Sequence, residues 1–185
     1  MGFGGRSGSG KTHLIVRLIE HCAARGIRVA TVKHTHHHNF ELDQPGKDSW
    51  QHREAGAVET LLLSDERYAL LGQQTEPWDL AGIQRRMQTC DLLLIEGFSA
   101  LAGVPRIEVF RSVLGSPPQA MAQEGFVALA MPHDDHCEPL PGLPVLDLDD
   151  TAAIADFVLA LPAMSTQSDK RRRGPTTRLA HLHGR

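Results

Sequence analysis

The sequence predicts an α/β protein built on a three-layer, doubly wound, mainly parallel sheet. Three observations carry that expectation. A glycine-rich segment, Gly4-Gly5-Arg6-Ser7-Gly8-Ser9-Gly10-Lys11-Thr12, opens straight into a helical pattern. A strand-like run from Ile27 to Val32 follows it and ends at Lys33-His34. Further on, Asp91-Leu92-Leu93-Leu94-Ile95-Glu96-Gly97-Phe98 sets apolar residues between a carboxylate and a glycine, the pattern of a central strand buried on both faces.

Positions 5 to 12 fit G-x-x-x-x-G-K-[ST], the spacing of a phosphate-binding loop. Glycines let the backbone turn its N–H groups into one concavity, and the positive end of the next helix adds to the same field. Gly5, Arg6, Ser7, Gly8, Ser9 and Gly10 would hold β- and γ-phosphates through the main chain. Lys11 would reach the same oxygens, and the Thr12 hydroxyl would bind Mg²⁺. The helix that the motif requires is present in Leu14, Ile15, Leu18, Ile19 and Cys22, with Gly26 as its stop. Only Met1-Gly2-Phe3 precede the glycines, so the feeding strand is either very short or completed by residues upstream.

The remaining elements follow in order. Thr35 to Ser49 lacks periodicity and holds Pro45 and Gly46, so it reads as a loop on the ligand side of the sheet. Trp50 to Gly56 reads as a helix with Ser49 as N-cap, and Val58–Leu63 and Tyr68–Leu71 as paired strands around a polar turn. A helix is expected over Leu80 to Gln88. Arg106 to Arg111 alternates charged and apolar residues and predicts a half-exposed strand. Phe126–Met131 and Val145–Leu148 complete the strands, and Asp149-Asp150 cap a helix from Thr151 to about Leu161. One ordered domain is expected over residues 1–163, with a basic, disordered tail over 164–185.

Composition narrows the function. At 185 residues with 41% apolar and 22% charged residues, the chain matches a globular domain in the cytoplasm, without a leader or a membrane-length apolar run. Cys22, Cys90 and Cys137 are far apart and without C-x-x-C spacing, which argues against a disulfide framework or a cysteine metal site; Cys22 and Cys90 read as buried small hydrophobes. From Ser165 onward there are six basic residues against one acidic; before it there are 13 basic against 21 acidic. So acidic a body argues against nucleic-acid binding.

Within the predicted site, Glu96 stands at the tip of the buried strand, where an acid holds Mg²⁺ directly or through water. Asp43 is a second candidate ligand or water positioner, and equally a plain turn residue. Lys11, Asp43 and Glu96 are the candidate catalytic groups, and Thr12, Asp43 and Glu96 the candidate metal ligands. Arg6 would serve as an arginine finger or face solvent. His34, His36, His37 and His38 sit beside Lys33 and near Lys47, Asp48 and Arg111. They line an anion pocket, hold a metal such as nickel, or are structural.

The combination of Ser7–Thr12, Val32-Lys33-His34-Thr35-His36-His37, Asp43-x-Pro45-Gly46-Lys47-Asp48-Ser49, Arg53-x-Ala55-Gly56-Ala57 and Leu94-Ile95-Glu96-Gly97-Phe98 resembles the MobB family, adaptors of molybdopterin-guanine dinucleotide biosynthesis. The segment from Arg106 to Arg111 is similar to the family's Lys-Ile-Glu-Val-x-Arg. The resemblance implies a P-loop NTPase of the SIMIBI type that binds GTP and Mg²⁺ and forms homodimers. It also implies assistance to a guanylyltransferase, MobA, which joins GMP to molybdopterin, together with weak GTP hydrolysis. The histidine cluster would then suit a phosphorylated pterin, making molybdopterin a possible ligand. His13 departs from the family's second Thr and bears on α-phosphate contacts, and the basic tail has no family counterpart.

Two other classes share the loop. A nickel-insertion GTPase would use the histidines, although its Cys-Pro-Cys or Cys-x-x-His ligands are missing. A small-molecule kinase would need an arginine-bearing lid, for which only Gln84-Arg85-Arg86 offers itself. Guanine-reading Asn-Lys-x-Asp is absent, and Asp134 or Asp135 are the candidates to read the base.

Overall fold

The computed structural model describes residues 1–35 and 42–162. His36, His37 and His38, and the tail expected from residue 164, lie outside them. The described elements run β1 (Gly2–Gly4), α1 (Lys11–Ala24), β2 (Val29–Lys33), α2 (Asp48–Glu54), β3 (Glu59–Leu63), β4 (Tyr68–Gly72), α3 (Leu80–Gln84), β5 (Leu92–Glu96), β6 (Arg106–Val109), β7 (Phe126–Met131), β8 (Val145–Asp147) and α4 (Thr151–Ala160). Six strands form one sheet in the order β2-β5-β1-β6-β7-β8, parallel throughout, and β3 and β4 form a separate antiparallel ribbon. No helix among the described residues is long and apolar enough to cross a membrane.

The three layers follow from strand alternation. On one face Phe3, Leu94, Ile107, Val109, Ala128 and Ala130 meet Leu14, Ile15, Leu18 and Cys22 of α1 and Ile154, Ala155 and Val158 of α4. On the other, Ile95 packs with Ile83 of α3 and with Leu101 and Val104. Strand β1 spans three residues and lies mid-sheet: Gly2 pairs with Ile95 on one side and Arg106 on the other.

Several expectations are corrected. Ser49 is not an N-cap. Helix α2 begins at Asp48 after Lys47, and the buried Ser49 donates its hydroxyl to Asp43 Oδ1 at 2.7 Å. The helix expected over 80–88 stops at Gln84; Arg86 then lies over the Trp78 ring and donates to Gly82 O. Segment 106–111 is not half-exposed: its strand ends at Val109, and Glu108 is 2% exposed. Each Glu108 oxygen accepts a backbone N–H, from Gln119 at 2.7 Å and from Ala120 at 2.8 Å, so its charge is satisfied inside the fold rather than by water. Cys22 is buried as expected, whereas Cys90 is only half-buried. Asp150 caps α4 through the Ala153 N–H.

Candidate functional site

At the carboxyl ends of β1, β2 and β5 lies a cleft of about 800 Å³. Gly5, Arg6, Ser7, Gly8, Gly10, Lys11, Thr12 and His13 form one wall. The conformation at two glycines explains the spacing. Gly5 has φ +126°, and a Cβ there would stand 2.3 Å from Val109 O. Gly10 has φ +100° and caps α1 with no side-chain hydrogen bond, so the first-turn amides of α1 open toward the cleft. Ser9 behaves otherwise: its side chain is fully buried beneath the loop, its Oγ has no hydrogen-bond partner among the described residues, and its carbonyl accepts from Arg111 Nε at 3.1 Å. Arg111 thus braces the loop without lining the cleft.

Lys11 Nζ donates to Gly5 O at 2.8 Å and to Arg6 O at 2.7 Å, which folds the ammonium over the loop. Partial burial lowers its pKa; the nearby Glu96 opposes that shift and Lys33 adds to it. Thr12 Oγ1 donates to Glu96 Oε1 at 2.7 Å, and Lys33 forms an ion pair with the same oxygen. Glu96 is buried and Lys33 largely exposed, so the carboxylate is fixed while the lysine can swing. A hydroxyl and a carboxylate side by side are hard oxygen donors, the set that Mg²⁺ takes, and the residues present fit that ion.

The His34 ring stacks on Phe98 with centroids 4.5 Å apart, and both line the cleft with Thr35, Gly97 and Ser99. The structure does not bring Asp43, Lys47 or Asp48 to this cleft lining. Asp43 instead accepts from Ser49 and Gln44 N–H and lines a separate depression with Arg53 and Leu70. Asp135 accepts the Ser112 N–H at 2.9 Å and the His136 N–H at 2.8 Å. These bonds hold its carboxyl below the ordinary range. Neither it nor Asp134 lines the cleft. Sequence reasoning missed Phe98 as a ring wall, and Arg106 and Gln119 as lining residues. Arg106 read as a charge on the wet face of a half-exposed strand, and Gln119 follows Pro117-Pro118 in a stretch without motif.

Comparison with known proteins bears on the family and the fold. The family model described as "MobB: Molybdopterin guanine dinucleotide synthesis protein B" matches residues 1–132. The molybdopterin-guanine dinucleotide biosynthesis adapter protein of Escherichia coli (strain K12) is 38% identical over 164 residues, 86% of this chain and 90% of that one. Its counterpart from Haemophilus influenzae is 35% identical over 160 residues, 85% and 86% of the two chains. A crystal structure of molybdopterin-guanine biosynthesis protein B superposes with TM-score 0.65 at 30% identity, over 85% of this chain and 96% of that one. The crystal structure of Bacillus subtilis MobB gives TM-score 0.65 at 29% identity, over 85% and 93%. With the loop, the parallel sheet and these relatives in agreement, the chain belongs to the MobB family.

Proposed function

We propose that this protein binds GTP with Mg²⁺ in the cleft and works as an adapter in molybdopterin-guanine dinucleotide biosynthesis, assisting a MobA-type guanylyltransferase in the cytoplasm. The observation that carries the reading is the convergence of Lys11, the α1 amides and the Thr12–Glu96 pair on one cleft. Lys11 leaves its two carbonyls for β- and γ-phosphate oxygens, exchanging neutral acceptors for charged ones. Thr12 and Glu96 would hold the ion, which when bound neutralises phosphate charge. Phosphoryl transfer rests on positioning and charge, and the loop's own arginine in the cleft, Arg6, is exposed. Hydrolysis is therefore weak, and binding is the principal role.

Assembly as a homodimer is part of the proposal. The β3–β4 ribbon leaves Leu61, Leu63, Tyr68 and Leu70 each about half exposed or more, an apolar surface that a second copy would cover. The functional test adds purified protein and GTP to guanylyltransferase and molybdopterin. Output of the guanine dinucleotide cofactor rises with the wild type and stays at the enzyme-alone level with Lys11→Ala. Equal output with both proteins would sink the adapter reading.

A further inference from the structure

The cleft does not end at the phosphate loop. It continues onto the sheet face opposite α1, where Leu101, Val104, Arg106 and Gln119 line it beside β1. Two glycines open that face. A Cβ on Gly2 would meet Arg106 Cγ at 2.8 Å, and one on Gly4 would meet the Phe126 ring at 2.7 Å. Their absence lets both side chains lie flat against the strand. A register shift between Arg106 and Ile107 pairs Phe126 with Arg106 and puts the two on this same face. The guanidinium then covers the ring, with Arg106 Cζ 4.5 Å from the Phe126 centroid. Its NH1 and NH2 groups donate to Ser99 O and Glu124 O, which fixes its plane. Phe126 lies on one side of the guanidinium and does not line the cleft, whereas Arg106 does.

Gln119 lines the same stretch of cleft, over Gly4 where Arg106 lies over Gly2. Glu108 anchors the Gln119 main chain, and Gln119 Oε1 reaches within 3.8 Å of the Cβ position over Gly4. Its carboxamide has no protein partner among the described residues, leaving one acceptor and two donors toward the cleft. A planar cation above an aromatic ring stacks a flat heterocycle, and a primary amide pairs with a ring lactam through two parallel hydrogen bonds.

We propose that this inner end is a ring subsite for the aminopyrimidinone system that pterins and guanine share, stacked on Arg106 and read along its lactam edge by Gln119. It rests on the function proposed above for the choice of these two rings. The site itself rests on geometry alone.

The test titrates full-length protein with free pterin, following its fluorescence, and separately with GTP and Mg²⁺. Arg106→Lys keeps the charge and removes the plane; Gln119→Ala leaves the Glu108 anchor in place. Both are first checked for a wild-type circular dichroism spectrum. Pterin is expected to bind saturably, to survive saturating tripolyphosphate with Mg²⁺, and to weaken about fivefold or more in each variant. If GTP weakens in the variants and pterin does not, the subsite stands with guanine as its ring. It is overturned if both ligands bind the variants as tightly as the wild type, or if tripolyphosphate displaces pterin. Pterin binding without GTP binding would remove the nucleotide reading alone. GTP binding that ignores both substitutions, with no pterin binding, would remove the ring subsite alone.

Discussion

Lys11 sits where burial works against its charge and Glu96 works for it. Its lowered pKa has a definite sign for binding. The ammonium is the form that grips phosphate, so GTP affinity is expected to fall as pH rises, starting below the ordinary lysine value of 10.5. A calorimetric pH series checks this, and affinity that is flat up to that value would contradict it. Replacing Lys11 with Ala removes charge-assisted hydrogen bonds worth about 1.5–3 kcal/mol each, so GTP binding should weaken by at least about tenfold while the melting profile is retained. At this scale the sequence was legible where chemistry dictates spacing: Gly5, Gly10, Lys11 and Thr12 line one cleft, and Glu96 at the tip of β5 accepts from Thr12 there. It was opaque where a side chain's direction depends on distant partners. Nothing local in Ser9 says that its hydroxyl turns inward, and nothing around Asp43 says that it serves Ser49 rather than the cleft.

Elements were legible wherever hydrophobic period and burial agree, as in α1, β5, β7 and α4. Strand β6 was misread because an alternating charge pattern implies a wet face. Here the carboxylate of Glu108 faces inward and is satisfied by two amides of the turn at Gln119–Met121. Glu108→Gln keeps the shape and loses the charge, and it should destabilise the fold by about 1–3 kcal/mol in urea unfolding. An unchanged midpoint would mean that the turn is held by other contacts. The start of β5 carries a second, exposed device. Asp91 accepts two side-chain bonds and one backbone bond from Arg28, which draws its pKa from 3.8 to about 2. A depressed carboxyl pKa stabilises the fold above the unfolded value and stops doing so as pH falls through the folded one. The β2–β5 junction should therefore hold at pH 4 and loosen as pH drops toward about 2, with the Asp91 carboxyl carbon reporting the transition by NMR.

Across the whole molecule, strand order was the least legible feature. Local pattern names strands but not neighbours, and the order β2-β5-β1-β6-β7-β8 is decided by which buried faces α1, α3 and α4 can cover. A ligand held by residues from β1, α1 and β5 together should stabilise the fold as a unit. GTP and Mg²⁺ at one hundred times the dissociation constant should add about 2.7 kcal/mol to unfolding, visible as a rise in melting temperature that Lys11→Ala cuts by about half or more.

The three-residue β1 is sandwiched between partners some ninety and more positions farther along, Ile95 on one flank and Arg106 to Glu108 on the other. During synthesis, then, the residues that make the anion cradle leave the ribosome well before the strands that flank them. A nascent chain stalled before Leu92 would carry the whole motif and still slip through a GTP resin, and one stopped at Val109 would still lack Arg111, the brace on Ser9 O.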